Sequence, residues 1–257
     1  MTPLQAVLVA AAAVVAGMIN TVVGSGTLIT FPVLLAVGLP PLTANVSNGL
    51  GLVPGSFFGA LGYRKELEGQ APRLRKLGPA SIAGAIAGAV LLLLLPAGAF
   101  NAIVPVLIAL AVVLVVVQPL LSKRLAAGRA APADDTIPTS ASWPLRLATF
   151  GTGVYGGYFG AAQGVLLLGV MGIALPTEPL QRLNAIKNVL AMLANLTAGI
   201  VFVFVAHVSW LAVVLVAAGS AVGGALGARV GRALPPVALR GLIVVIGLVA
   251  LAKLLFT

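Results

Sequence analysis

The sequence contains no cysteine, one histidine (His207) and only five acidic residues among 257. The lack of cysteine excludes disulfides, thiolate metal sites and thiol nucleophiles. With so little His, Asp and Glu, the chain also has almost no material for metal-ligand clusters or acid–base dyads. We therefore expect no cofactor, no metal site and no enzyme activity.

Charged residues are scarce as well. They make up 8% of the chain against 60% hydrophobic residues, whereas a soluble domain carries about 25% charged residues. Continuous apolar runs, each near the ~20 residues that cross a bilayer as a helix, follow one another without the period-two alternation of a β-barrel. We predict an all-α integral membrane protein, multi-pass in the cell inner (plasma) membrane. Its eight hydrophobic segments are expected at residues 4–38, 42–63, 77–96, 101–121, 145–174, 178–206, 209–228 and 236–256.

The net charge of +10 would suit a nucleic-acid ligand if the protein were soluble. In a membrane protein, an excess of Lys and Arg is typical of cytoplasmic loops. The expected partners are therefore the lipid bilayer and a small solute, with no nucleic acid. The apolar N-terminal run lacks the flanks of a cleaved signal peptide, so we interpret it as part of the mature protein.

The chain divides into two similar halves. We predict an N-terminal membrane repeat at 1–121, a cytoplasmic linker at 122–144 and a C-terminal membrane repeat at 145–257, because the linker is polar and contains Pro, Gly and Asp. Shifting the second half back by 136 positions aligns four pairs of residues: Gly153 with Gly17, Gly160 with Gly24, Pro176 with Pro40, and Asn184 with Asn48. The same order of features in both halves indicates internal duplication.

Each half opens with a segment that is too long for one crossing. Residues 4–38 as a single helix would extend about 52 Å, well beyond the ~30 Å hydrocarbon core. Glycine-rich stretches interrupt the two opening segments at residues 23–27 and 156–164, and glycine weakens a helix. Non-helical backbone at membrane depth persists only where protein or a cavity surrounds it. We therefore predict a broken or re-entrant helix at the start of each half.

The basic residues predict how the halves are oriented. They cluster between segments two and three, on the central linker, and between segments seven and eight. If each broken segment returns to the side it entered, all three clusters and Arg182 become cytoplasmic, as the positive-inside rule favours. The halves would then form an inverted repeat with both termini outside. The alternative is a plain eight-crossing arrangement, which would leave the third cluster outside.

Inverted repeats with broken helices place a binding site near the membrane midplane, where the interruptions meet. Half-helix N-termini near Ser25 and Gln163 would offer amide donors and a positive dipole end to an anion. The predicted substrate-binding residues are polar side chains at the breaks and on the helices that follow them: Asn20, Thr21, Ser25, Thr27, Asn45, Asn48, Tyr158, Gln163, Asn184, Lys187 and Asn188. For any single one of these residues, close packing or interhelical hydrogen bonding is the structural alternative.

Lys187 is the most informative residue of this set. It lies nine residues after Glu178, which is roughly 13 Å along a helix and close to mid-membrane. A lysine there costs at least ~2.5–3.5 kcal/mol unless it has a partner or faces a wet cavity. No carboxylate is predicted within the membrane, so an anionic ligand is the expected partner, and snorkelling to the interface is the alternative. The energy source for transport stays open: movement of the anion could be coupled to the substrate's own protonation, to a sodium ion, or to neither.

The first half contains the motifs Gly24-Ser25-Gly26, Phe31-Pro32-Val33-Leu34-Leu35, Gly38-Leu39-Pro40 and Ala44-Asn45-Val46-Ser47-Asn48. Together they resemble the first half-motif of the TauE/SafE family of sulfite exporters (TSUP transporters), and residues 153–199 resemble its second copy. The resemblance spans nearly the whole chain. It implies a secondary transporter of small sulfur-containing anions, such as sulfite or organosulfonates, that works by alternating access.

Two alternatives to this function stay open: a passive anion channel, and a carrier of non-sulfur anions such as carboxylates. A homodimer also stays open, because small residues spaced four apart are typical of close helix packing within one chain or between two. These residues are Gly84, Gly88, Gly219, Gly223 and Gly227.

Overall fold

The structure is a computed structural model that describes residues 1–127, 142–230 and 236–256, and every regular element in these ranges is helical. The first half consists of α1 Pro3–Val22, α2 Thr27–Ala36, α3 Pro41–Gly51, α4 Val53–Gly62, a short 3₁₀ helix Arg64–Leu67, α5 Ala71–Leu94 and α6 Ala97–Ala127. The second half consists of α7 Trp143–Tyr158, α8 Gln163–Ala174, α9 Leu180–Val205, α10 Trp210–Val230 and α11 Pro236–Phe256.

Five of these helices are long and apolar enough to cross a membrane: α1, α5, α6, α9 and α10. Large apolar side chains on them face outward; Leu4 on α1 and Phe204 on α9, for example, are 79% and 83% exposed. Outward-facing apolar side chains on helices whose backbone groups are bonded internally suit a lipid environment. The prediction of an all-helical membrane protein is confirmed, and the number of crossings stays a prediction.

Several boundaries differ from the expected segments; α5, for example, begins at Ala71 rather than at residue 77. The predicted segment 42–63 is divided, because α3 ends at Gly51 and α4 begins at Val53. Pro54 explains the division, since it has no N–H to donate to the carbonyl of Leu50 and its ring clashes with that carbonyl. In addition, α6 continues to Ala127, past the expected start of the linker at 122. Linker residues 128–141 lie outside the described residues.

Both predicted breaks are present and have similar geometry. After α1, two consecutive N–H groups donate to the carbonyl of Ile19 at 2.7 and 3.1 Å; after α7, two donate to the carbonyl of Tyr155 at 2.9 and 3.0 Å. Gly24 and Gly160 end these turns with φ of +89° and +75°, which glycine adopts at little steric cost. Ile19 and Tyr155 are also 136 positions apart, so residues that the spacing aligns form the same kind of turn.

Equivalent helices pack in exchanged pairs. Helix α1 packs on α10 while α7 packs on α5, and α2 contacts α11 while α8 contacts α6. The 136-residue spacing aligns α1 with α7, α5 with α10, α2 with α8 and α6 with α11. The contact of α1 with α10 therefore corresponds to that of α7 with α5, and the contact of α2 with α11 to that of α8 with α6. The first helix of each half therefore has its main partner in the opposite half, and the halves interlock rather than fold as separate bundles.

Glycines permit the closest of these contacts. A Cβ at Gly84 or Gly88 of α5 would collide with carbonyl oxygens of α7, and a Cβ at Gly219 or Gly223 of α10 would do the same with those of α1. Small residues let helix backbones approach when lipid supplies no hydrophobic drive for association. The small-residue faces are thus used within one chain.

Gly88→Ala is expected to lower the midpoint of thermal unfolding in detergent, because its Cβ would collide with the carbonyl oxygen of Val154. Overpacking of this kind costs about 1–3 kcal/mol. The matched control is Gly151→Ala on α7, where a Cβ would meet open space. That variant should unfold at the wild-type temperature or slightly above, since alanine favours helix. Equal midpoints for the two variants would contradict the role given to the α5–α7 contact.

Basic residues from all three predicted clusters lie at one end of the bundle. Arg64 and Arg229 line the same groove between α4 and α10. Lys76 and Arg146 line another, between α5 and α7. Arg64 lies in the short connection from α4 to α5 and Lys76 lies near the start of α5, so both grooves are lined by residues close to this connection.

Candidate functional site

The two breaks meet inside the protein. The N–H of Gly164, at the start of α8, donates to the carbonyl of Gly24 at 3.0 Å. A Cβ on either glycine would collide with the Cα of the other, so the two backbones are in direct contact. Ser25 and Gln163, as the chain neighbours of these glycines, are brought to the same place.

Lys187 reaches across to the end of α1. Its Nζ donates to the carbonyls of Asn20 and Thr21, both at 2.9 Å, and Asn188 Nδ2 donates to the Thr21 carbonyl at 3.4 Å. The last carbonyls of a helix lack intrahelical donors and carry the negative end of the helix dipole. The ammonium therefore occupies the position at the end of the broken helix that most favours a cation.

The charge of Lys187 is not neutralised by these contacts. Carbonyl groups are uncharged, an ammonium has three donors of which two are used here, and Lys187 forms no ion pair with any other described residue. The residue is 1% exposed, so the side chain does not snorkel to the surface. It is directed at α1 rather than into the cavity described below.

Helix α3 lies against both breaks through two asparagines. Asn48 donates to the hydroxyl of Thr27 at 3.2 Å and accepts from the hydroxyl of Thr30. Asn45 Nδ2 donates to the carbonyl of Tyr158, the last residue of α7, at 3.0 Å. These hydrogen bonds connect the start of α2 to the end of α7.

A small cavity lies beside this cluster. Its polar lining comes from Thr27, Asn45 and Asn195, and Gly156 and Phe159 complete one wall. It offers about 10 Å³ of space to the centre of a water molecule, which is room for roughly one water. The site is therefore closed in this conformation, and a larger solute requires the surrounding helices to move.

Asn195 was not among the predicted binding residues. It lies seven residues after Asn188 on α9, and positions i and i+7 share one helix face. That spacing was the available signal for including it.

Several buried polar atoms on residues of the breaks and of the helices beside them have no hydrogen-bond partner among the described residues. They are Thr21 Oγ1, Ser25 Oγ, Tyr158 OH, Gln163 Nε2 and Asn184 Oδ1. Buried polar atoms are nearly always bonded, so each exception needs a physical reason. All five belong to the predicted binding residues, and together they provide unused hydrogen-bonding capacity for a ligand.

Other predicted groups are already engaged within the protein. Asn20 Nδ2 donates to Ser56 Oγ at 3.2 Å, and its Oδ1 accepts from the N–H of Gly26 at 3.4 Å. At the start of α8, the N–H of Gln163 donates to the carbonyl of Gly160 at 3.2 Å. The first amides of α8 were expected to face an anion, and in this conformation those of Gln163 and Gly164 stabilise the break instead.

Ala162 carries local backbone strain at the second break. Its φ of +59° is the only positive value at a non-glycine residue in the described ranges, and it is fully buried. Such strain costs on the order of 1–3 kcal/mol and persists where the surrounding structure imposes it. The aligned Gly26 has φ −57°, so the two breaks have diverged at this position.

A buried ion-pair cluster ties α5 to the turn before α9. Glu178 accepts from Arg73 at 2.8 Å and from Arg182 at 2.9 Å. Burial by itself raises the pKa of the Glu178 carboxyl, but hydrogen bonds and charge from the two arginines outweigh it and hold that pKa below its ordinary value. Arg73 and Glu178 are 105 positions apart, and no local sequence pattern predicted their contact.

Comparison with known proteins places the chain among membrane transporters. The family model described as sulfite exporter TauE/SafE matches residues 9–254. The chain is 27% identical over 245 residues to the probable membrane transporter protein ORF9 of Sinorhizobium sp, covering 95% of this chain and 90% of that protein. It is 26% identical over 253 residues to the probable membrane transporter protein YfcA of Escherichia coli strain K12, covering 95% and 87%. No solved structure matches it.

Proposed function

This chain belongs to the sulfite exporter TauE/SafE family of membrane transporters, and from that premise we propose that it carries sulfite or a small organosulfonate across the inner membrane by alternating access. The observation that carries this proposal is the junction of the two breaks. There, two backbone turns are in contact beside Lys187, which is buried and has no ion-pair partner among the described residues. Residues in or next to the two breaks also carry five buried polar atoms without a hydrogen-bond partner in the described ranges.

The chemistry of the junction suits an oxyanion. Lys187 supplies a positive charge and one unused donor. Ser25, Tyr158 and Gln163 add neutral donors with no protein acceptor among the described residues, and such groups hydrogen-bond to the several oxygens of a sulfite or sulfonate. Hydrogen bonds to a charged partner are about twice as strong as neutral ones. A small anion whose negative charge is spread over several oxygens is the ligand that would use the ammonium and all of these donors.

Alternating access requires two halves that rearrange around one site. The exchanged packing of equivalent helices and the common end of the basic residues both favour an inverted repeat. The single-water cavity fits an occluded conformation. In this proposal, separating Gly24 from Gly164 would open the junction to one side. The Arg73–Glu178 ion pair would break when the basic end of the bundle opens and would form again when that end closes.

Uptake of radiolabelled sulfite into proteoliposomes tests the function. We expect saturable uptake, competition by sulfonates but not by carboxylates, and accumulation above the external concentration when a driving proton or sodium gradient is imposed. Uptake that never exceeds equilibrium under any gradient would indicate a channel. Uptake of carboxylates in place of sulfur anions would overturn the substrate assignment.

A further inference from the structure

A groove lies between the ends of α4 and α10, lined by none of the residues of the junction. This groove has a volume of about 670 Å³ and is lined by Arg64, Lys65 and Arg229 together with Phe58 and Leu61. Its volume is within the range of small-molecule sites. Its floor is closely packed, since a Cβ at Gly62 would collide with the side chain of Ala228.

The three cations of the groove are available to a ligand. Arg64, Lys65 and Arg229 are exposed. None of the three forms an ion pair with another described residue. Glu66 is the one acidic residue in the lining, so positive charge exceeds negative. Arginine donors match the geometry of phosphate oxygens, and lysine adds a point charge.

The apolar side of the groove continues onto the outer surface of the helices. Phe58 and Leu61 are 39% and 46% exposed, and they adjoin the exposed side chain of Phe57 on the same helix. In a membrane transporter, such exposed apolar side chains contact acyl chains. Phosphate-binding cations and an acyl-chain surface therefore meet in one groove, at the end of the bundle that carries the basic residues.

We propose that this groove binds an anionic glycerophospholipid, with the headgroup phosphate on Arg64, Lys65 and Arg229 and an acyl chain along Phe58 and Leu61. A soluble phosphate would use only the cations, whereas a lipid uses both linings. Basic pockets between transmembrane helices bind anionic headgroups in this way. The site does not depend on the transported substrate.

The test is binding of short-chain phosphatidylglycerol to the purified protein in detergent, measured by native mass spectrometry beside phosphatidylcholine and inorganic phosphate. We expect phosphatidylglycerol to bind selectively. Arg64→Gln/Arg229→Gln should raise its apparent Kd about 10- to 30-fold, and Phe58→Gln should also weaken it. The control Arg75→Gln/Lys76→Gln removes the same charge from α5 outside the groove and should bind as wild type.

Three results would overturn the proposal. The first is that Arg64→Gln/Arg229→Gln binds phosphatidylglycerol with wild-type affinity. The second is that the α5 control weakens binding of the lipid equally. The third is that inorganic phosphate competes with the lipid at equal concentration while Phe58→Gln has no effect on lipid binding. The last would indicate a soluble-anion site. Monodispersity of each variant on size-exclusion chromatography ensures that the affinities compare folded proteins.

Discussion

Lys187→Met is expected to reduce sulfite uptake into proteoliposomes by about 10- to 100-fold, because each hydrogen bond to a charged group contributes about 1.5–3 kcal/mol. The substitution keeps most of the length of the side chain but removes the one positive charge that the described residues place at the junction of the two breaks. An anion would then enter a buried site with no compensating charge. Initial rates over a range of sulfite concentrations measure the effect.

Two further variants distinguish the loss of the positive charge from other effects of the substitution. Lys187→Arg keeps the charge and should retain part of the uptake, since a guanidinium still reaches carbonyl groups and oxyanions. Lys76→Met removes a lysine that lies outside the junction, near the start of α5, and should transport normally. If Lys187→Met is monodisperse and transports with an unchanged KM and maximal rate, Lys187 does not bind the anion.

Size-exclusion and unfolding measurements show whether Lys187 is only a structural cap for α1. A purely structural role predicts that Lys187→Met and Lys187→Arg lower the unfolding midpoint and transport in proportion. A role in binding predicts that uptake falls in Lys187→Met even at a temperature where the protein is fully folded. The Asn188 hydrogen bond to Thr21 does not involve the Lys187 side chain, so it should continue to connect α9 to α1 in both variants.

Gly164→Ala is expected to abolish most transport by separating the two breaks. The added Cβ would collide with the Cα of Gly24 and lie 3.0 Å from both the Gly24 carbonyl oxygen and the Cδ of Lys187. Both neighbours must move, one of them backbone, so the 3.0 Å hydrogen bond from Gly164 to Gly24 is lost or lengthened. Overpacking costs about 1–3 kcal/mol, and we expect uptake to fall at least about tenfold.

The control for this variant is Gly241→Ala on α11, where a Cβ meets open space. It should leave both uptake and unfolding unchanged. Wild-type uptake in Gly164→Ala would mean that the contact between the breaks is not part of the transport site. Loss of uptake together with loss of monodispersity would assign the contact to folding alone.

Much of the architecture was predictable because it depends on local or repetitive properties of the sequence. Apolar run length decides whether a helix can cross a membrane, and clustered glycines such as Gly24 and Gly160 decide where a helix breaks. The 136-residue spacing aligns the two breaks, and the turns that end α1 and α7 have similar hydrogen bonds. Pro54 carried an equally local signal, and the division between α3 and α4 was missed although proline in a helix interior indicates it.

The candidate site was predictable in composition but not in its contacts. Sequence alone indicated that Lys187 is an intramembrane cation without a carboxylate partner, because Glu178, the one acidic residue in an apolar segment, stands at the segment's first position. Only the tertiary structure showed that its partners are the carbonyls of Asn20 and Thr21, 167 and 166 positions away. The same holds for Arg73 with Glu178. A residue's type and its place in an apolar segment determine its charge and the cost of burying it. Its partner depends on how distant helices pack, and that packing depends on the whole chain.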